Sequence, residues 1–460
     1  MKLPRVMLAA PASGSGKTLI TCGLLQLLVN RGRHPAAFKC GPDYIDPMFH
    51  RKVIGTPSKN LDTFFTEENT TRYLFGKEAQ KADISVLEGV MGFYDGVGGI
   101  TTQASSYELA KVTNTPVILV VNAKGMSLSV VPFIQGFLEY WKDSHIKGVI
   151  LNQTTKMTYQ LLKEQIEQEL GITVIGYVPK CPGFAIESRH LGLITPEEIC
   201  GLQEKLQNLA GVLEETLEVG KILELAERAE ELDWNVPEVS ILKVQAGEKP
   251  PRIGVAGDEA FCFCYQDNLE LLEEMGAELA VFSPLHDKKL PDNLDGLIFY
   301  GGYPELYAEE LSENISLKKE IEEVIQAGMP YLAECGGFLY LQETLESMEG
   351  KKYPMVGVLK GQAYRTGKLG RFGYITLSTG KGGQLLAVNE TLKAHEFHYF
   401  DTTNNGRDYH AVKPLGNREW DCICGGEKYA AGFPHLYYYS NPQFAFRFLQ
   451  KCMAWKQKEV

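Results

Sequence analysis

The sequence contains no long apolar run and no excess of positive charge. Hydrophobic residues make up 44% of the chain, but no segment approaches the roughly 20 consecutive apolar residues that a membrane-spanning helix needs. Acidic residues outnumber basic ones by 58 to 46, which gives a formal net charge of −12. Binding to a nucleic-acid backbone requires a basic surface. We therefore expect neither a membrane nor a nucleic acid among the partners.

A cysteine framework is also missing. The ten cysteines are scattered over 460 residues, which is typical of reduced thiols in a cytoplasmic enzyme. Two Cys-x-Cys pairs, Cys262/Cys264 and Cys422/Cys424, stand out, but metal-binding pairs more often have two intervening residues. The apolar run near the N-terminus is short and leads directly into a glycine-rich loop, so we expect no signal peptide.

The order of apolar and helical segments predicts two α/β domains. A chain of 460 residues is too long for one ordinary core. Over residues 1–235, short apolar strands alternate with helical patterns, which predicts a doubly wound parallel sheet. Residues 236–251 lose this periodicity and gather Pro, Gly and polar residues, as linkers do. Strand and helix patterns restart at Arg252, so residues 252–460 are expected to form the second domain.

A glycine-rich stretch near the N-terminus predicts a nucleotide site. Ala9–Thr18 reads AAPASGSGKT and lies between a strand and a helix, where backbone amides and the helix N-terminus can hold phosphate. Lys17 is placed to reach the terminal phosphates, and the Thr18 hydroxyl to bind Mg²⁺. Pro11 stands where the usual pattern has glycine, and a glycine-rich turn without a ligand is the alternative. The predicted ATP-binding residues of this loop are Ser13, Gly14, Ser15, Gly16, Lys17 and Thr18.

The loop after the second predicted strand carries further candidates. It reads KCGPDYIDP and contains Lys39, Asp43, Tyr44 and Asp46. Ligands bind at the carboxyl ends of the strands in open α/β sheets. Asp43 and Asp46 are candidates to hold Mg²⁺ or to position a substrate group, and Lys39 to neutralise phosphate. The alternative is an ordinary turn, because Asp and Pro in turns need no function.

Two later strand ends add polar side chains to the same edge. Glu88 closes the apolar strand ISVLE and is a candidate to hold the water shell of the metal. Asp95 follows in a glycine-rich loop that leaves room for a large ligand. Asn152 ends another apolar strand and is a candidate to read the adenine edge, although a turn or helix-capping role is equally open.

The second half contains the features of a nucleophilic cysteine. A strand runs into Cys335 and a helical pattern leaves from Gly336, as in a nucleophile elbow. A helix N-terminus favours the thiolate form of a cysteine, and we expect this of Cys335. The Gly336 amide is a predicted oxyanion donor, and Gly302, at the end of an upstream strand, is a second. A buried structural cysteine is the alternative.

A nucleophilic cysteine needs a histidine to accept its proton. The second half offers five, and spacing alone does not choose among them. His435 follows an apolar segment near the end of the chain, whereas His395 and His398 lie in the aromatic stretch AHEFHY. The candidates are His286, His395, His398, His410 and His435.

These motifs and several others follow one another along the chain as an ordered set. The ordered set resembles the cobyrinic acid a,c-diamide synthase family, whose amidotransferase domain is of the cobyrinate/cobyrate type, and the resemblance covers nearly the whole chain. The motifs that carry it are SGSGKT, KCGPDYIDP, LEGVMGFYDG, ESRHLGL, YGGYPELYAEEL, AECGGFLYL, HEFHY and HLYYYSNP.

The resemblance implies a fold, an activity and a set of site residues. It implies an N-terminal ATPase domain similar to dethiobiotin synthetase and a C-terminal domain similar to class I glutamine amidotransferases. It implies that glutamine, ATP and Mg²⁺ are used to amidate the a and c side chains of cobyrinic acid in cobalamin biosynthesis. Cys335 is then the amidotransferase nucleophile and His435 its partner. The implied metal residues are Thr18, Asp46 and Glu88, and the substrate or activation residues are Lys39, Asp43, Tyr44, Asp46 and Asp95.

Two alternatives and one departure accompany this interpretation. The same chemistry would serve the a,c-diamidation of Ni-sirohydrochlorin or another tetrapyrrole. A switch ATPase of the partitioning type is disfavoured, because its signature lysine would stand at Ala12. Tyr437 occupies the position of the triad glutamate of ordinary class I amidotransferases, which implies a Cys–His dyad and leaves open what orients His435. The sequence also leaves a homodimer open.

Overall fold

The computed structural model describes residues 1–181, 201–244 and 248–459. The chain divides into two compact units, Met1–Pro237 and Glu238–Val460. The linker over residues 236–251, and with it the exact domain boundaries, stays a prediction.

The first unit is built on a seven-stranded parallel sheet. Its strands are β1 (Arg5–Ala9), β2 (Pro35–Cys40), β3 (Ser58–Leu61), β4 (Ile84–Glu88), β5 (Val117–Asn122), β6 (Ile146–Asn152) and β7 (Thr173–Val178). They lie in the order β3-β2-β4-β1-β5-β6-β7, and every pairing is parallel. The doubly wound parallel sheet that the sequence predicts is confirmed.

Helices connect these strands, and more helices follow the last strand. Those of the described residues are α1 (Lys17–Asn30), α2 (Ile45–Phe49), α3 (Glu68–Ala79), α4 (Ser106–Val112), α5 (Val130–Tyr140), α6 (Lys156–Leu170), α7 (Leu202–Thr216) and α8 (Val219–Glu227), with a π-helical turn at His50–Ile54. The central strands β1 and β4 are buried along their whole length, because parallel strands covered on both faces are apolar throughout. Their carboxyl ends gather the polar loops at one edge of the sheet.

The second unit contains a six-stranded sheet and two smaller sheets. The six strands follow the order β20-β21-β11-β10-β8-β9, all parallel except β20. The smaller sheets have the orders β13-β12-β14-β17 and β19-β18-β15-β16-β22. The strands are β8 (Arg252–Ala256), β9 (Glu278–Phe282), β10 (Gly296–Phe299), β11 (Tyr331–Glu334), β12 (Gln342–Glu346), β13 (Lys352–Pro354), β14 (Leu359–Arg365), β15 (Phe372–Ser378), β16 (Thr391–Phe397), β17 (Phe400–Thr402), β18 (Tyr409–Val412), β19 (Glu419–Cys422), β20 (Cys424–Gly425), β21 (Tyr429–Gly432) and β22 (His435–Leu436).

Helices again pack around the parallel strands of this unit, so the predicted α/β fold class is confirmed for both units. The helices of its described residues are α9 (Gln266–Glu274), α10 (Ala308–Glu313), α11 (Ile315–Gln326), α12 (Gly336–Tyr340) and α13 (Pro442–Glu459). No helix within the described residues of either unit is long and apolar enough to cross a membrane. The cysteines of the described residues are all free thiols, as expected.

Candidate functional site

The phosphate loop of the first unit has the predicted strand–turn–helix form. β1 ends at Ala9 and α1 begins at Lys17. Gly14 and Gly16 have φ angles of 75° and 93°, a left-handed conformation that strains other residues. A Cβ atom on Gly16 would lie only 2.4 Å from the side-chain nitrogen of Asn152. The sequence therefore needs glycine here for both backbone shape and close packing.

The ammonium group of Lys17 is held inside the site. Its Nζ donates a 2.6 Å hydrogen bond to the carbonyl oxygen of Met91, in the glycine-rich loop after β4. Burial, followed by the nearby charge of Lys39, lowers the pKa of Lys17 to about 8. Met91 itself has a left-handed φ of 45°, which is costly for a non-glycine residue.

The predicted carboxylates converge around Lys39. Its Nζ lies 2.5 Å from Asp46, 2.8 Å from Glu88 and 4.0 Å from Asp43. Burial acts to lower the pKa of Lys39, but the carboxylates raise it well above its usual value. Burial acts to raise the pKa of Asp46, and Lys39 outweighs it, so that the net shift is downward. Lys39 is thus paired with acids rather than presented alone to phosphate.

The donor set beside the phosphate loop fits a hard cation. The Thr18 hydroxyl donates to Glu88 Oε1 at 2.5 Å and lies 3.5 Å from Asp46 Oδ2. The second Glu88 oxygen is buried without a hydrogen-bond partner among the described residues, and burial, then Asp46, raises the pKa of Glu88 to about 7. Mg²⁺ prefers such oxygen ligands and completes its shell with water and phosphate. Among the described residues, no group of three or more His, Cys, Asp or Glu side chains is arranged to hold a metal ion by itself.

The other predicted residues of the first unit lie around this centre. Asn152 donates through Nδ2 to the Ser15 carbonyl at 2.7 Å, so its side chain braces the phosphate loop, and adenine recognition by Asn152 stays a prediction. Asp95 accepts from the Gly92 amide at 2.9 Å and acts electrostatically on Lys17. Tyr44 immediately precedes α2.

The second unit presents Cys335 on a sharp turn between β11 and α12. Cys335 has φ 46° and ψ −108°, a strained conformation that agrees with a nucleophile elbow. A Cβ atom on Gly336 would lie 3.0 Å from the Gly302 amide nitrogen, so the two predicted oxyanion donors are neighbours. A Cβ atom on Gly301 would lie 2.3 Å from His435 Cε1, which brings His435 to the same place.

The electrostatics of Cys335 differ from the expectation. Burial raises the pKa of the Cys335 thiol, and the negative charge of Glu305 adds to the rise. Burial likewise lowers the pKa of His435 to about 3. The direction of the Cys335 shift opposes the expected thiolate, because burial outweighs the backbone hydrogen bond from Gly336, which acts to lower the pKa. Burial thus favours the neutral form of both side chains.

Three of the five candidate histidines are close together. His395 and His435 are directly opposite each other in the pairing of β16 with β22, and His398 acts electrostatically on His435. His286 and His410 instead pair with carboxylates at exposed positions. The geometry is compatible with the choice of His435, whose role stays a prediction.

Comparison with known proteins agrees with this two-site arrangement. Residues 6–193 match the CobQ/CobB/MinD/ParA nucleotide binding domain, and residues 252–436 match the CobB/CobQ-like glutamine amidotransferase domain. A cobyrinate a,c-diamide synthase of Caldanaerobacter subterraneus is 41% identical over 98% of this chain and 99% of its own length. This chain belongs to the cobyrinate a,c-diamide synthase family.

Other relatives agree with this membership. Cobyrinate a,c-diamide synthases of Listeria innocua and Priestia megaterium are 38% and 36% identical, over 95% and 99% of this chain and 97% and 98% of their own. A chain in the structure of PurLQS from Thermotoga maritima covers 45% of this chain and 98% of its own, at 17% identity and a TM-score of 0.32, a similarity too low to add to the argument. As a family member, the chain is an enzyme, an amide-forming ligase of the glutamine amidotransferase type.

Sequence reasoning misses two buried side chains at the two sites of this cobyrinate a,c-diamide synthase family member, His50 and Glu334. His50, in the π-helical turn, places Nε2 3.9 Å from Glu88 Oε2, and burial lowers its pKa to about 4. Glu334 places Oε2 3.9 Å from His435 Nδ1. Of these two residues, only Glu334 could have been found from the sequence, because it directly precedes the predicted nucleophile. The motif ESRHLGL lies outside the described residues.

Proposed function

We propose that this chain uses ATP and glutamine to convert the a and c carboxylates of cobyrinic acid into amides. The proposal rests on family membership along almost the whole chain, together with an intact phosphate loop and an intact cysteine elbow. A carboxylate reacts poorly with ammonia, so an activating step and an ammonia-releasing step are both needed.

The activating step belongs to the first unit. A substrate carboxylate oxygen attacks the γ-phosphorus of ATP, ADP leaves, and an acyl phosphate forms. Lys17 and the backbone amides of the phosphate loop stabilise the charge on the transferred group. Thr18, Asp46 and Glu88 would hold Mg²⁺, which when bound would neutralise phosphate charge. Asp43, Tyr44 and Asp95 are proposed to orient the substrate carboxylate.

The ammonia-releasing step belongs to the second unit. His435 takes the proton of the Cys335 thiol, and the sulfur attacks the side-chain amide carbon of glutamine. The amides of Gly302 and Gly336 are proposed to stabilise the resulting oxyanion. The protonated His435 returns its proton to the amide nitrogen, and collapse of the intermediate then releases ammonia and leaves a thioester, which water hydrolyses to glutamate. Ammonia then attacks the acyl phosphate carbon, phosphate leaves, and one amide has formed; a second cycle forms the other.

The substrate is tested by offering each macrocycle separately. Purified protein receives cobyrinic acid or Ni-sirohydrochlorin with ATP, Mg²⁺ and glutamine, and the products are analysed by mass spectrometry. We expect two carboxyl groups of cobyrinic acid to be replaced by amides, with ATP consumed. Diamidation of Ni-sirohydrochlorin alone would instead assign the second macrocycle, and no amide on either would contradict the proposal.

A further inference from the structure

A tyrosine stands in this chain at the position that usually holds the triad glutamate. Tyr437 stands two residues after His435, and its hydroxyl donates a 3.0 Å hydrogen bond to Asp267 Oδ2 in α9. Its ring also packs edge-on against Tyr265, with centroids 5.1 Å apart. The hydroxyl of Tyr437 is therefore bound to a residue other than the histidine.

A carboxylate reaches His435 from a different part of the chain. Glu334 is the last residue of β11 and directly precedes Cys335. Its Oε2 lies 3.9 Å from His435 Nδ1, and both side chains are only 2% exposed. Burial raises the pKa of this carboxyl group well above its usual value, and two hydrogen bonds act in the opposite direction, one from the Leu436 backbone and one from the Tyr438 hydroxyl, which lies 3.5 Å from Oε1.

We propose that Glu334 is the positioning residue for His435 and takes the place of the missing triad glutamate. This inference rests on the proposed ammonia-releasing function of Cys335. An oxygen acceptor at Nδ1 keeps the proton on that nitrogen, so that Nε2 is the nitrogen that takes the thiol proton. The 3.9 Å separation exceeds a hydrogen bond, and catalytic hydrogen bonds are often long in ligand-free enzymes and shorten when substrate binds.

Glu334 directly precedes the nucleophile in the chain, so the backbone contacts that position Cys335 also position Glu334. The same residue, Gly432, holds both Cys335 and Glu334 in place. The Cys335 amide donates to the Gly432 carbonyl at 2.8 Å, and Glu334 is paired with Gly432 between β11 and β21. β21 leads into His435 three residues later. Acid, thiol and imidazole are thereby held by the two adjacent strands and the segments that follow them.

The test compares Glu334→Gln with Tyr437→Phe. Glutamine-dependent amidation, ammonia-supported amidation and glutamine hydrolysis are measured for the wild type and both variants. For Glu334→Gln we expect kcat for glutamine hydrolysis to fall about 10²-fold, with the KM for glutamine and the ammonia-supported rate within about threefold of wild type. Tyr437→Phe, which is the matched control, is expected to keep the wild-type rate of glutamine hydrolysis.

A spectroscopic readout separates positioning from mere packing. The ¹⁵N shifts of the His435 ring should report a proton on Nδ1 in the wild type and a changed tautomer in Glu334→Gln, whose amide can donate to Nδ1. Glu334→Gln with a wild-type kcat or an unchanged tautomer would overturn the proposal. Equal loss of the ammonia-supported rate would also overturn it, because Glu334 would then be structural. Failure of the proposed function itself would appear earlier, as glutamine hydrolysis that survives in Cys335→Ala.

Discussion

The two candidate sites use opposite electrostatic states. In the first unit, Lys39 is a charged ammonium held between Asp46 and Glu88. In the second unit, Cys335 and His435 are both buried, and desolvation favours their neutral forms. The first site is prepared with fixed charge, whereas the second must create charge during the reaction.

This difference follows from the chemistry that each site is proposed to carry. Phosphoryl transfer involves charge that is present before and after the step, so preorganised ions stabilise it directly. Thioester formation needs charge only while sulfur attacks carbon. A neutral thiol is a weak nucleophile, so Cys335 becomes reactive only when His435 takes its proton during the attack.

The sharpest test of this division is Cys335→Ala. Glutamine-dependent amidation should fall on the order of 10³-fold or more, because the nucleophile is gone, while added ammonia should still support amidation at a near wild-type rate. Cys424→Ala, a half-buried cysteine of the same unit, is the matched control. Loss of the ammonia-supported rate as well would mean that Cys335 does more than supply nitrogen.

The reciprocal change is Lys17→Met, which removes the charge and keeps the length of the side chain. Amidation should fall by about 10²–10³-fold with either nitrogen source, since transition-state charge loses a donor. Glutamine hydrolysis without ATP should stay within about threefold of wild type. The exposed Lys142→Met serves as control. A selective loss of the glutamine-dependent reaction in Lys17→Met would break the comparison.

A smaller effect is expected from pH on nucleotide binding at the first site. The pKa of Lys17 is lowered to about 8, so its charge is present below that pH and is lost as pH rises through it. ADP affinity, measured by calorimetry, should therefore weaken above pH 8 by up to about tenfold per pH unit.

Lys17→Arg provides the control for this pH effect, because arginine stays charged. Its affinity for ADP should remain flat across the same range. A wild-type affinity that does not change through pH 8, or an equal fall in Lys17→Arg, would contradict the assignment to Lys17.

Local sequence patterns predict the two motifs because each is a contiguous segment. The loop that ends in Lys17 and the elbow at Cys335 combine a strand, glycines and a helix start within a few residues, so their geometry is encoded locally. The paired acids Asp46 and Glu88 were predicted on the same sheet edge, because parallel strands end together. What places Lys39 between them is packing, which no single segment reveals.

The features that sequence reasoning missed are contacts between distant segments. Glu334 and His435 lie about 100 positions apart in the chain, and His50, at the start of the π-helical turn, meets Glu88 at the end of a later strand. The pKa of Cys335 shifts against the thiolate expectation for a related reason. Burial decides the direction of that pKa shift, and burial depends on the whole fold.

The hydrogen bond from Lys17 to the Met91 carbonyl has a consequence for nucleotide entry. The Lys17 ammonium has three donors, so a phosphate that binds it competes with a carbonyl that is held by a backbone in an unfavourable left-handed turn. Measured affinity then includes any weakening of the hydrogen bond between Lys17 and Met91 that follows phosphate binding. Relaxation at Met91 would thus report, from a neighbouring loop, that the phosphate pocket has become occupied.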